Sequence, residues 1–107
     1  MNAIDVYIVA VEMERYGSSE EHIARVAWDV TPDGAKAQWQ WATTDDMIVW
    51  IRAGKFRAWV KDSAGPGYAV VTVVWHHVPR PFLRTEKDNK VTDNLLYLPG
   101  GPKGPKI

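Results

Sequence analysis

The sequence predicts an α+β fold, in which an antiparallel sheet of about five strands carries one short helix and an ordered C-terminal arm. Three observations lead to it: alternating runs rich in β-branched residues, one capped helical segment at 43–54, and a change to proline-rich sequence at Pro79. The expected order is β-β-β-α-β-β-arm. At 107 residues with 46% hydrophobic side chains, the chain is long enough for one core and one domain. We expect this domain to span residues 1–98.

The first two strands are predicted at 4–14 and 22–31. The first is apolar on both faces, because Ile4, Val6 and Ile8 alternate with Tyr7 and Val9. A strand that is apolar on both faces belongs in the middle of a sheet. The second alternates apolar with polar residues, which is typical of a half-buried strand.

A third strand is predicted over 36–41, after a turn at Thr31-Pro32-Asp33-Gly34. This turn has proline and glycine where a type I turn favours them. In the strand, Trp39 and Trp41 would share one face, with their rings about 7 Å apart along the chain.

The helix is predicted to begin after Thr43 and to end at Gly54. A threonine can cap the free backbone N–H groups, Asp45 and Asp46 favour the positive end of the helix dipole, and glycine is a common C-terminal stop. Its apolar stripe consists of Met47, Ile48 and Ile51, flanked by Trp50.

Two further strands are predicted at 55–61 and 68–78, joined by the glycine-rich loop 63–67. In the strand at 55–61, Phe56, Ala58 and Val60 would point inward, while Lys55, Arg57, Trp59 and Lys61 would point outward. The strand at 68–78 is apolar on both faces and is a second candidate for the middle of the sheet.

From Pro79 onward, prolines argue against a central strand, so we expect 79–98 to form an ordered arm clipped to the body by its leucines. Residues 99–107, rich in glycine, proline and lysine, are expected to form a flexible tail.

The arm also carries a resemblance to a known family. Leu83-Arg84-Thr85-x-x-Asp88, followed by Asp93-Asn94-Leu95-Leu96-x-Leu98-Pro99, resembles a family of short bacterial and phage proteins known as domain of unknown function 3892. The resemblance covers 6–99 and extends to His22-Ile23 and to Ile51 with Gly54, while the stretch with Trp39 and Trp41 matches no part of it. It implies a small domain without an evident catalytic centre, and it supplies no activity. For a phage-borne member, it makes binding and modulating a host protein a reasonable expectation.

Charge and composition limit the function classes. Net charge is zero, but 1–54 holds nine acids and four bases, whereas 55–107 holds four acids and nine bases. Such a split can mark a polar partner surface, or the charges can pair across the sheet. No cysteine, no signal peptide and no apolar run near ~20 residues is present, so we expect a soluble cytoplasmic protein that does not enter a membrane.

Catalysis, metal binding and cofactor binding find little support. His76 and His77 are adjacent on a strand and would point to opposite faces, and His22, Glu12 and Glu14 do not complete a zinc spacing. Serines lie in turns without a nucleophile elbow, and no phosphate-binding glycine loop is present. We therefore expect a protein that is not an enzyme, with no metal and no cofactor.

The aromatic residues favour a binding function. The chain has six tryptophans, and Trp59 shares its strand face with cationic side chains. One short helix cannot cover both faces of the sheet, so an apolar face is expected to remain as an interface. The leading hypothesis is a small protein-binding module, either for another protein or for a second copy. Its predicted contact residues are Trp59, Arg57, Lys61, Tyr7, Trp39 and Trp41.

The alternative is a nucleic-acid-binding domain, in which bases stack on Trp59 beside cations from the basic half of the chain. Its predicted residues are Trp59, Arg57, Lys61, Arg80, Arg84, Lys87 and Lys90. The zero net charge argues against it, because phosphate neutralisation normally needs a surplus of basic residues.

Overall fold

A computed structural model describes residues 2–106 of the chain. Met1 and Ile107, which the predicted domain and tail include, lie outside these residues. The strands and the helix are β1 (Ile4–Met13), β2 (Ile23–Asp29), β3 (Gln40–Thr43), α1 (Thr44–Arg52), β4 (Phe56–Lys61), β5 (Tyr68–Val74), β6 (Phe82–Lys87) and β7 (Lys90–Thr92). Three short 3₁₀ turns lie at Glu20–His22, Lys36–Gln38 and Asn94–Tyr97.

The strands form one sheet of seven in the order β3-β2-β1-β4-β5-β6-β7. β1 and β4 run parallel, with Ile4 opposite Phe56 and Tyr7 opposite Trp59, while the other neighbouring pairs are antiparallel. The predicted antiparallel sheet of about five strands is therefore wrong in both strand number and type. The parallel pair arises because α1 lies in the crossover between β3 and β4, which returns the chain to β1 in the same direction.

Local signals at the two ends of the helix explain its position. The Thr43 side chain accepts a hydrogen bond from the Asp46 backbone N–H at 3.1 Å. At the other end Gly54 has φ +75°, and its N–H and that of Lys55 donate to the carbonyls of Ile51 and Trp50. This pair of bonds is a Schellman motif, which favours glycine at the left-handed position. Both predicted ends of the helix agree with these contacts.

The predicted ordered arm at 79–98 is also wrong, because it contains the hairpin β6–β7. Pro79 and Pro81 precede the first of these strands, so they leave its ladder intact. Asp88 and Asn89, both with positive φ (53° and 64°), form the two-residue turn between Lys87 and Lys90. Positive φ at both positions matches the right-handed twist of a hairpin.

Two predicted strands differ from the observed strands by four residues at one end. Lys36–Gln38 forms a 3₁₀ turn instead of the start of a strand, and β3 begins only at Gln40. As a result Trp39 lies outside β3 and does not share a strand face with Trp41. β5 ends at Val74, four residues before its predicted end, and the chain turns through Trp75–His77.

The core lies between α1 and one face of the sheet. Met47 and Ile48 of α1 are buried against Val6, Val26 and Val60 of the strands. Trp28, Trp50 and Phe56 close this core at one end, with ring centroids 4.9–6.4 Å apart. The opposite sheet face, called the outer face below, carries no α-helix within residues 2–106. No helix in this part of the chain is long and apolar enough to cross a membrane.

The C-terminal segment folds back onto the sheet. β1 and β4 pair only over their first residues, and beyond these the 3₁₀ turn Asn94–Tyr97 contacts both strands. Val11 N–H donates to the Pro99 carbonyl at 3.0 Å, and Lys103 N–H donates to Leu96 at 3.0 Å. Residues 99 and 103 are therefore hydrogen-bonded to other parts of the protein, whereas a flexible tail was expected from residue 99 onward. The domain boundary at 98 stays a prediction.

Candidate partner-binding site on the outer face

Strand register brings three aromatic side chains together on the outer face. Tyr7 of β1 lies opposite Trp59 of β4, and Tyr68 of β5 lies opposite Lys61, two residues after Trp59. Because residues opposite each other share a face, all of these side chains point away from α1. The Tyr7 and Tyr68 rings meet edge to face, with centroids 5.3 Å apart.

Trp59 is held in place by a carboxylate. Asp5 accepts hydrogen bonds from Trp59 Nε1 at 3.0 Å and from Arg57 Nε at 2.7 Å. The Arg57 guanidinium also lies over the indole ring, 5.6 Å from its centroid. The hydrogen bond from Arg57, followed by that from Trp59, holds the pKa of Asp5 below its usual value. The aspartate therefore stays ionised, neutralises Arg57 and orients the half-buried indole.

Asp5, Tyr7, Trp59 and Tyr68 border a shallow hollow of about 370 Å³, the Trp59 hollow. Its walls are mostly aromatic, and its one ion pair is complete. Such a surface can accept an apolar or aromatic group, but it offers no free charge to a ligand.

A second hollow of about 230 Å³, the Trp39 hollow, adjoins the first because Tyr7 and Tyr68 line both. Its other apolar walls come from segments far apart in the chain: Val9, Pro32, Trp39, Leu98 and Pro99. Together the hollows make a continuous aromatic strip across the outer face. Lys61 stands at the rim of the second hollow.

The loop at 30–35 holds Trp39 in this position. Trp39 Nε1 donates to the Gly34 carbonyl at 3.2 Å, and Asp29 Oδ1 accepts from the Val30 N–H at 2.7 Å. A Cβ on Gly34 would lie 1.7 Å from Asp29 Oδ2, so a larger residue at position 34 would displace the carboxylate or the loop. The loop thus fixes the indole that forms one wall of the Trp39 hollow.

The six predicted contact residues fall into three groups. Tyr7, Trp39, Trp59 and Lys61 line the two hollows, and Arg57 supports Trp59 through Asp5. Trp41 lies apart on β3, at the edge of the sheet, where the Arg25 guanidinium is 5.2 Å from its ring centroid. The sequence prediction missed Tyr68 and Asp5, although alternation along β5 and β1 places both on the same face as Trp59.

The seven residues of the nucleic-acid alternative do not form a patch of free cations. Arg57, Arg80 and Lys87 pair with Asp5, Glu14 and Asp62. Arg84 Nη2 lies 4.0 Å from Glu86. Among residues 2–106, Lys61 and Lys90 have no ion pair, and they stand on different parts of the sheet. Phosphate binding by this set would require breaking several ion pairs.

The side chains considered for a metal site make contacts with neighbouring protein groups. His22 Nδ1 lies 3.1 Å from Ser19 Oγ, while the His76 ring packs on Trp75 with centroids 3.9 Å apart. Glu12 and Glu14 pair with Arg25 and Arg80. No group of three or more metal-ligating side chains occurs within the described residues 2–106.

The residues that carry the family resemblance have packing and hydrogen-bonding roles. Asn94 is buried, and its Oδ1 accepts from the Ser63 N–H at 2.8 Å and from Ser63 Oγ at 2.7 Å. The buried Thr85 hydroxyl donates to the Thr92 carbonyl at 3.0 Å, and Leu83 and Leu95 are fully buried. These four side chains line neither hollow, whereas Leu98 and Pro99 of the same motif line the Trp39 hollow.

Comparison with known proteins gives one match. A family model described as "Protein of unknown function (DUF3892)" matches residues 7–99. No curated protein and no solved structure matches the chain.

Proposed function

We propose the following function for this chain, which belongs to the DUF3892 family of proteins of unknown function: it is a small non-enzymatic module that binds another protein through the outer face of its sheet. The observation that carries the proposal is the continuous aromatic strip formed by the Trp39 and Trp59 hollows, with Tyr7 and Tyr68 shared between them. In a phage member of the family, such a module would bind and modulate a host protein. The sequence grounds given above favour the cytoplasm as its compartment.

The outer face leaves aromatic surface in contact with water. Tyr68 is 40% exposed, and α1 packs on the sheet face opposite to that of Tyr68, Tyr7 and Trp59. Contiguous apolar surface of this kind favours association, because burying it removes apolar area from water. Tyrosine and tryptophan are also the side chains that most often contribute the binding energy of protein interfaces.

Electrostatics favour a protein over a nucleic acid as the partner. Arg57, the cation nearest the Trp59 ring, is neutralised by Asp5. Nucleic-acid affinity depends on cations that are free to replace the counterions of phosphates. A partner that meets the strip with apolar side chains leaves this ion pair intact.

The test is site-directed photocrosslinking in the cells that express the protein. A photoreactive phenylalanine analogue at position 68 should give one dominant crosslinked protein, identified by mass spectrometry. The same analogue at position 75 is the control, since Trp75 is 49% exposed but lies outside both hollows. The affinity of the purified partner should then fall in Trp59→Ala and remain unchanged in Trp75→Ala.

Other results would contradict the proposal or change the partner. Equal crosslinking from positions 68 and 75, or no crosslink from either, would contradict a protein interface on the outer face. A crosslink that disappears after nuclease treatment would favour the nucleic-acid alternative. A crosslink between two copies, with a dimer in sedimentation, would make the partner a second copy of the chain.

A further inference from the structure

Lys61 is an unneutralised cation beside an apolar hollow. It is exposed on the outer face, opposite Tyr68, and it has no ion pair among residues 2–106. Two carboxylates near the strip are already paired: Asp5 with Arg57 at 2.7 Å, and Asp62 with Lys87 at 2.6 Å. Among the described residues that line the Trp39 hollow, Lys61 is the one that carries a charge.

The size of the Trp39 hollow indicates what can enter it. Its volume of about 230 Å³ is below the ~300–1,000 Å³ typical of pockets for drug-sized ligands. Its walls are apolar and aromatic, and the Trp39 indole N–H is already bonded to the Gly34 carbonyl. A single apolar side chain fits this description better than a polar ligand, because a polar ligand would find few partners inside.

We propose that the Trp39 hollow takes an apolar side chain of a partner protein and that Lys61 pairs with a carboxylate next to it in the partner sequence. The inference rests on the proposed function and specifies the chemistry of the partner segment. Charge complementarity supports it, since the free cation stands at the rim of the apolar hollow. A second copy of the chain would have to present the same apolar–acidic pair on its own surface.

Nitrogen-15 NMR titration with short blocked peptides tests the inference directly. The probe is glycine-leucine-glutamate-glycine, compared with versions that carry glutamine for glutamate or alanine for leucine. We expect the first peptide to shift the Trp39 indole resonance and to bind about two- to five-fold more tightly than the glutamine version, as an exposed ion pair allows. The alanine version should leave the indole resonance unchanged.

Two variants test the contribution of the Lys61 charge separately from that of the apolar Trp39 hollow. Lys61→Gln should remove the preference for glutamate over glutamine while the leucine peptides still shift Trp39. Lys90→Gln, which removes another lysine without an ion pair in residues 2–106, should keep the preference. Retention of the preference in Lys61→Gln would overturn the inference.

The same titrations separate this inference from the proposed function. Equal binding of the glutamate and glutamine peptides to the wild-type protein would overturn the role of Lys61 and leave a protein-binding strip in place. No shift of Trp39 by any peptide, together with a specific crosslink at position 68, would overturn only the assignment of the Trp39 hollow. If the Trp39 indole resonance shifts with protein concentration in the absence of peptide, the occupant of the hollow is a second copy of the chain and not a segment of another protein.

Discussion

Trp59 Nε1 donates a hydrogen bond to Asp5, a residue 54 positions earlier in the chain, across the parallel pair β1–β4. Arg57 binds the same carboxylate at 2.7 Å and lies over the indole ring. The bond fixes the orientation of an aromatic side chain that faces away from the core. A side chain oriented in advance loses less conformational entropy when a partner covers it.

Trp59→Ala is expected to separate stability from binding. The indole contributes little to the core, so we expect the free energy of unfolding to fall by about 1 kcal/mol or less. Binding to the partner should weaken by about 2 kcal/mol or more, as for interface hot spots. Urea unfolding and calorimetric titration measure the two effects. An unfolded variant would instead identify Trp59 as a core residue and move the search for an interface elsewhere.

Leu95→Ala and Leu96→Ala should each destabilise the fold by roughly 2–5 kcal/mol, because both leucines are buried. Tyr97→Ala is the control, since this neighbour is 43% exposed. Chemical unfolding of the three variants provides the comparison. A loss below ~1 kcal/mol for the two leucines together would mean that the 3₁₀ turn does not pack on the sheet.

Ending the chain after Leu98 should lower the melting temperature by at least about 4 °C. The cut removes the Pro99 carbonyl that binds the Val11 N–H, and an unpaired buried donor costs ~1–3 kcal/mol. A chain that ends at Pro105 keeps this bond and should melt like the full chain. Calorimetry measures the melting temperatures. Equal values for the full chain and the two shortened chains would support the flexible tail expected from the sequence.

The ion pair between Asp62 and Lys87 should make the free energy of unfolding depend on pH in the acidic range. The hydrogen bond from Lys87, followed by that from the Ala64 N–H, lowers the pKa of Asp62 in the folded protein. Its contribution is therefore present above the usual aspartate pKa of about 3.9 and is lost as pH falls through the lower folded pKa. Asp62→Asn should reduce this pH dependence, which unfolding curves at several acidic pH values would measure. An unchanged pH dependence in Asp62→Asn would contradict this role.

Ionisation of Glu20 should lower the free energy of unfolding, whereas ionisation of Asp62 should raise it. Burial, followed by the nearby Asp93, raises the pKa of Glu20 in the folded protein. The ionised form therefore destabilises the fold at pH values above the usual glutamate pKa of about 4.3. We expect Glu20→Gln to raise stability at pH 7 by no more than about 1 kcal/mol and to have no effect at low pH. An effect of Glu20→Gln that is the same at low pH as at pH 7 would contradict the prediction.

Local signals predicted the elements that depend on neighbouring residues. The helix follows from the cap at Thr43 and the stop at Gly54, and the inward and outward faces of β4 follow from alternation. The parallel pairing of β1 with β4 has no local signal, because it depends on where the crossover through α1 returns the chain. The β6–β7 hairpin was missed because the two prolines before it were given more weight than the Asp88-Asn89 turn.

In the candidate site, too, local features could be predicted from the sequence and long-range contacts could not. Alternation predicts the strand faces of Tyr7 and Trp59, and the structure brings both together with Tyr68 on the outer face. The Trp39 hollow could not be predicted from the sequence, because its walls come from β1, the loop at 32–39 and residues 98–99. Its formation depends on the close approach of Gly34 to Asp29, a contact between loop and strand that no periodic pattern shows.

The docking of residues 94–99 beside β1 also has a consequence for synthesis on the ribosome. Val11, near the N-terminus, finds its hydrogen-bond partner only in Pro99, and β1 pairs with β4 across 52 residues. Contacts this far apart cannot form until the later strands have been translated. The sheet therefore closes only after residue 99 has been translated, and until then its apolar strands are exposed and prone to aggregation.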